Sequence, residues 1–77
     1  MNKILFFAHL RDAAGAESVM HDVCGKTVAQ VKEFISSEYG IDKLNTVMTA
    51  VNEEFANEDE VIQAGDTIAF IPPVSGG

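Results

Sequence analysis

Thr27-Val28-Ala29-Gln30-Val31-Lys32-Glu33-Phe34-Ile35-Ser36-Ser37-Glu38-Tyr39-Gly40 is the stretch from which the fold is read. Thr27 and Gln30 stand at capping-box spacing, in which the hydroxyl accepts from an early backbone N–H and the amide reaches back. Val28, Val31, Phe34 or Ile35, and Tyr39 recur at helical spacing, while Lys32, Glu33, Ser36 and Glu38 are expected to face away. Gly40 supplies the stop, as a left-handed residue just past the last turn. A helix with one apolar stripe needs a sheet to cover, and the flanking sequence provides one.

Before the helix, Lys3 to His9 reads as a strand rich in aromatic and branched residues. Its five successive apolar residues, Ile4 to Ala8, predict burial on both faces and a central place in the sheet. Arg11 to Gly15 reads as a turn or loop with Gly15 at positive φ, and Glu17 to Val23 as a second strand, making a hairpin candidate. Val19, His21 and Val23 then share one face and Ser18, Met20 and Asp22 the other. After the helix, Val47 to Val51 reads as a third strand and Glu53 to Glu60 as a polar hairpin or loop around Phe55. Turn chemistry at Ala64-Gly65-Asp66 precedes a β-branched and aromatic last strand, Thr67 to Ile71. The order predicts an α+β domain over residues 1–71: a mixed sheet with one helix on one face, its first and last strands paired in parallel at the centre.

Composition narrows the function. The 77 residues suit one small domain, which buries about 60 to 65 % of its unfolded surface and has little room for an internal active-site cavity. With 47 % hydrophobic and 22 % charged residues the chain should fold, and the apolar start is too short for a membrane span or signal peptide. These features, with Cys24 as the single cysteine, point to a reducing, cytoplasmic setting without a disulfide framework. Cys24 is a possible nucleophile but reads more simply as a small residue beside Gly25; His9 and His21 read as ordinary strand positions. The net charge of -7 argues against a nucleic-acid surface, which has to be basic to displace counterions from phosphate. Glu53, Glu54, Glu58, Asp59 and Glu60 concentrate that charge in a solvated segment.

Beyond Ile71 the composition changes to Pro72-Pro73-Val74-Ser75-Gly76-Gly77, read as a flexible tail over 72–77. Two prolines end a central strand and favour an extended stem. Six extended residues span roughly 20 Å, enough to reach into a partner's pocket. Without Cβ atoms, Gly76 and Gly77 pass a narrow channel and leave the last carbonyl open to attack. A carboxylate is a poor electrophile, but adenylation turns it into a mixed anhydride that a sulfur nucleophile can open. Such a domain needs no catalytic side chain of its own; it places one atom.

The sequence resembles the small subunits of molybdopterin synthase along essentially its whole length. The match rests on Ile4-Leu5-Phe6-Phe7-Ala8, Leu10-Arg11, Gly15, Thr27-Val28, Ala50-Val51-Asn52, Ala64-Gly65-Asp66 and, most specifically, Phe70-Ile71-Pro72-Pro73-Val74-Ser75-Gly76-Gly77. The resemblance implies a β-grasp, ubiquitin-like sulfur carrier that binds no cofactor. Gly77 would be adenylated with ATP by an adenylyltransferase similar to ubiquitin-activating enzymes, and a persulfide donor would convert it to a thiocarboxylate. Pro72, Pro73, Val74 and Ser75 would form the stem inserted into the large subunit, and Gly76 would give clearance. There, in a complex of two small and two large subunits, two carriers would sulfurate cyclic pyranopterin monophosphate. Catalytic side chains would belong to the large subunit. Phe7 and Phe70, near the face from which the tail emerges, are candidates for partner contact, although both also suit a core. The rivals are a thiamine-pathway sulfur carrier, which tends to lack this diproline stem, a ubiquitin-like modifier conjugated to lysine, and an interaction domain anchored by its tail.

Overall fold

In β1 (Asn2–Phe6), Asn2, Ile4 and Phe6 are buried while Lys3 is exposed and Leu5 half-buried, so the strand divides its side chains between an inner and an outer face. The computed structural model describes residues 1–72; of the tail only Pro72 is among them, and the readings for Pro73, Val74, Ser75, Gly76 and Gly77 lie outside the described residues. β1 runs parallel to β5 (Thr67–Ile71), with Ile4 opposite Ile68 and Phe6 opposite Phe70, as the sequence predicts. β2 (Ser18–His21) flanks β1 and β3 (Met48–Val51) flanks β5, both antiparallel. A two-residue β4 (Glu54–Phe55) completes the order β2-β1-β5-β3-β4. Among the described residues the sheet is therefore mixed, with the two parallel strands in the interior of the order.

Thr27 caps α2 (Val28–Tyr39) through the full capping box: its Oγ1 accepts from the Gln30 N–H at 3.2 Å and its own N–H donates to Gln30 Oε1 at 2.9 Å. Gly40 closes the helix at φ 65, its N–H donating to the Ser36 carbonyl. Val28, Val31 and Ile35 lie against Ile4, Phe6, Ile68 and Phe70 in one core that also takes in Leu10, Val23, Ile41, Leu44 and Ile62. The acidic segment is fastened to this helix. The Glu60 and Glu58 carbonyls accept from the free N–H groups of Val28 and Ala29, each at 2.9 Å, where a helix start has no partners of its own.

Four sequence expectations need correction. The first strand stops at Phe6, and a short helix α1 (His9–Ala14) occupies what reads as strand end and loop, so His9 opens a helix. Ala8, at φ 54 and ψ -134, turns the chain there, and Leu10 N–H donates to Phe7 O at 3.1 Å. Only Leu10 of these six residues is buried, which leaves no apolar periodicity to read. Gly15 ends α1 at φ 78, the positive φ expected. Second, the first strand is not buried on both faces, because Phe7 and Ala8 are exposed. Third, β2 is shorter than Glu17 to Val23, although Val23 is fully buried. Fourth, Lys32 is buried at 5 % exposure, its Nζ donating to Val47 O and to Glu58 Oε1, each at 2.8 Å. The methylene stem packs while the ammonium finds a carbonyl and a carboxylate, so a position that reads as solvent-facing pins α2 to the start of β3 and to the acidic loop.

Asn2 is a second buried polar group. Its Nδ2 donates to Gln63 O at 2.9 Å and Asp66 O at 3.0 Å, and its Oδ1 accepts from Val23 N–H at 3.2 Å. One amide thus joins the start of β1, the exit from β2 and the turn before β5. Asn2→Ala would leave these backbone groups without that partner and is expected to cost about 2 to 4 kcal/mol, lowering Tm by roughly 10 to 30 °C in a domain of this size. Thermal unfolding followed by circular dichroism checks this; an unchanged Tm would show that water replaces the amide.

Candidate docking face and carrier tail

Helix α2 covers one side of the sheet, and the other side carries the candidate site. Leu5 lies opposite Ala69, Ala69 opposite Ala50, and Ala50 opposite Phe55, while Met48 lies opposite Ile71. These residues alternate with the core positions Ile4, Ile68 and Phe70, so they share the outer face. The register Phe6↔Phe70 carries Phe7 level with Ile71 at the end of the parallel pair. The resulting face is apolar and open: Phe7 is 44 % exposed, Met48 46 % and Phe55 69 %. A shallow depression in it is lined by Leu5, Phe7, Ala50, Glu53, Phe55, Thr67, Ala69 and Ile71. An apolar cluster of this kind on an 8.3 kDa domain makes this face the candidate interaction surface.

Ile71 is the last residue of β5, and half-buried Pro72 follows it. Pro72 thus follows a central strand at the end level with Phe7. The two phenylalanines proposed from sequence therefore separate. Phe7 stands on the open face, whereas Phe70 is fully buried on the helix side, with its ring centroid 6.1 Å from that of Phe6. The expectation that Phe70 touches a partner is corrected: its side chain points inward because it is in register with Thr49 and Phe6, both core positions. Sequence reading missed Met48 and Phe55. Met48 is the first residue of its strand, and Phe55 sits in a polar segment where one aromatic reads as an isolated exception.

The remaining chemistry-bearing residues are not gathered. Cys24 is exposed, and among the described residues no group of three or more His, Cys, Asp or Glu is placed to hold a metal ion. His21 shares a 2.7 Å hydrogen bond between Nε2 and Tyr39 Oη, and its ring lies edge-on to Phe34 at 5.1 Å, so it packs β2 against α2. A polar cleft on the helix side, lined by Lys32, Ser36, Lys43, Asn45 and Glu58, has its buried ammonium already bonded within the fold. Among the described residues no helix is long and apolar enough to cross a membrane.

Among the described residues, a mixed five-stranded sheet with one long helix across one face defines a ubiquitin-like β-grasp domain. The chain belongs to the ThiS family, whose model matches residues 4–77. It is 30 % identical to the molybdopterin synthase sulfur carrier subunit of Escherichia coli (strain K12) over 81 aligned positions that cover 100 % of both chains. The resemblance read from the sequence therefore holds at the level of family. Among solved structures it is similar to SAMP1 from Haloferax volcanii, with a TM-score of 0.84, 28 % identity and coverage of 99 % of this chain and 98 % of that one. A second structure of that protein names it small archaeal modifier protein 1. The chain is also similar to a putative molybdopterin converting factor, subunit 1, from Pyrococcus furiosus, with a TM-score of 0.79, 25 % identity and coverage of 95 % and 97 %.

Proposed function

We propose that this chain is the sulfur carrier of molybdopterin synthase and delivers sulfur from the carboxyl group of Gly77. The observation that carries the reading is that β5 ends at Ile71, which lines the open apolar face together with Phe7, so that Pro72 follows at its rim. A partner seated on that face receives the tail in a fixed direction. Full-length similarity to sulfur carrier subunits supports the same role.

The chemistry follows from what a terminal glycine can do. An adenylyltransferase similar to ubiquitin-activating enzymes joins the Gly77 carboxylate to AMP from ATP and releases pyrophosphate. The terminal sulfur of a persulfide donor attacks the acyl carbon and AMP leaves; a second thiol then attacks the donor's own cysteine sulfur, forms a disulfide with it, and leaves the terminal sulfur on Gly77 as the thiocarboxylate. Pro72, Pro73, Val74 and Ser75 form the stem, and Gly76 gives clearance. Within an assembly of two small and two large subunits, two carriers in turn give their sulfur to cyclic pyranopterin monophosphate. The carrier supplies no catalytic side chain and binds no cofactor, and this chemistry is placed in the cytoplasm.

The test is the intact mass of the protein after incubation with its adenylyltransferase, ATP and a persulfide donor. The expected result is a gain equal to one oxygen replaced by one sulfur, located at Gly77. A second reading, conjugation to lysine as a modifier, is favoured by the likeness to small archaeal modifier protein 1. It predicts isopeptide adducts at Gly77 in cells and no thiocarboxylate form. An unchanged mass, with the enzymes shown active on a known carrier, would overturn the sulfur-carrier reading.

A further inference from the structure

Asn52 and Glu53 connect β3 to β4 in two residues, both at positive φ, 52 and 71. Such a hairpin turn favours Asn at its first position and Gly at its second. Asn52 is accounted for: its Oδ1 accepts from Thr67 N–H at 3.0 Å and its Nδ2 donates to Asp66 Oδ1 at 2.8 Å. Glu53 has no such support. Among the described residues its carboxylate makes no hydrogen bond or ion pair, and a Cβ at φ 71 is disfavoured. A strained residue without a compensating contact in its own fold is a candidate for a contact outside it.

The place of Glu53 indicates what that contact is. It is the one ionisable residue lining the depression formed with Leu5, Phe7, Ala50, Phe55, Thr67, Ala69 and Ile71. The N–H of Asn52 donates to Thr67 O at 2.8 Å, which holds the turn at the Thr67 end of β5, away from Ile71 where the tail leaves. Four residue steps along the strand separate the two ends, about 13 Å. Apolar contact is non-directional, so the apolar face alone lets a partner settle at several angles. A carboxylate at its far end is costly to cover unless a positive group meets it, and that requirement selects one angle.

We propose that Glu53 is a specificity-determining residue of the docking face: it pairs with a lysine or arginine of the large subunit and fixes the angle at which the tail enters. This rests on the reading that the open face docks that subunit. The probe is the large subunit of the same organism, titrated calorimetrically with the full chain and with Glu53→Gln, Glu53→Gly, Glu53→Lys and Phe7→Asp at two salt concentrations. Glu53→Gln and Glu53→Gly are expected to bind about 10-fold more weakly and Glu53→Lys about 100-fold more weakly, with less salt dependence for the neutral variants than for the native chain. Glu53→Gly is expected to melt a few degrees higher, since glycine accepts the positive φ. A weaker-binding protein that is more stable separates lost pairing from a damaged fold. Affinities of Glu53→Gln and Glu53→Gly within twofold of native, with Phe7→Asp binding poorly, would overturn the proposal and leave the docking face standing. Native affinity in Phe7→Asp would remove the docking face and the proposal together.

Discussion

Gly76→Val is expected to fold and melt as the native chain does and to lose sulfuration of the pterin by a factor of 100 or more. Position 76 follows β5, Pro72 and every residue of the core cluster in the sequence, so the substitution replaces none of the core residues. Its effect falls on the tail's passage. Valine adds a branched side chain one residue from the reacting carbonyl, and displacement of a reacting atom by about 1 Å is enough for a 100-fold loss. Extension of the chain past Gly77 is the companion variant. It turns the Gly77 carboxylate into a peptide bond and so stops adenylation at Gly77, whereas Gly76→Val separates adenylation from delivery. Intact mass after the activation reaction, followed by a single-turnover assay with the large subunit, reads both steps. An extended chain that still sulfurates the pterin would refute the carrier chemistry. A tail that serves only as an anchor would give modest changes in affinity and none in turnover once bound.

The parts of this fold legible in the sequence are those in which local pattern and tertiary role agree. Thr27, Gln30 and Gly40 mark the two ends of α2 by side-chain and backbone chemistry that needs no other element. Thr67 to Ile71 is strand-forming on composition, and its doubly flanked place follows from Ile68 and Phe70 on one face and Ala69 and Ile71 on the other. The illegible parts depend on distant partners. Lys32 lies in the buried stripe of α2 because Glu58 and the Val47 carbonyl meet it there. Asn2 is buried because backbone groups of Val23, Gln63 and Asp66 converge on it. Helix α1 has no side-chain cap and one buried residue, so its existence is set by Leu10 reaching the core and by the turn at Ala8.

The candidate site divides in the same way. Gly76 and Gly77, which lie outside the described residues, are legible as chemistry from residue type alone, because glycine carries no Cβ. The docking face is not, since a continuous run such as Ile4 to Ala8 hides which of its members face outward. The strand's alternation, continued one residue past β1, puts Phe7 outside, and the chain turns away at Ala8. The same continuity made Phe7 and Phe70 look equivalent. They differ in the quantity that decides the matter, 44 % exposure against none.

That difference makes opposite predictions for the two rings. Phe7→Asp is expected to leave Tm within a few degrees of native, because the side chain lies past the end of β1 and outside the core cluster. It puts an unpaired carboxylate into an apolar contact, for which about 2 to 5 kcal/mol is the usual loss in binding, or roughly 30- to 4,000-fold in affinity for the large subunit. Adenylation is expected to weaken as well if the activating enzyme seats on the same face. Phe70→Ala inverts the pattern. It empties a fully buried site between Phe6 and α2 and is expected to cost about 3 to 5 kcal/mol, a large share of what a domain this small has. Binding and sulfur transfer should then fall only in proportion to the folded fraction and recover on cooling or at low denaturant. Calorimetric titration beside a denaturant melt of each variant distinguishes the two: a Phe7→Asp protein that binds normally, or a Phe70→Ala protein that is fully folded yet fails to bind, would reverse the assignment of inside and outside on which the docking face depends.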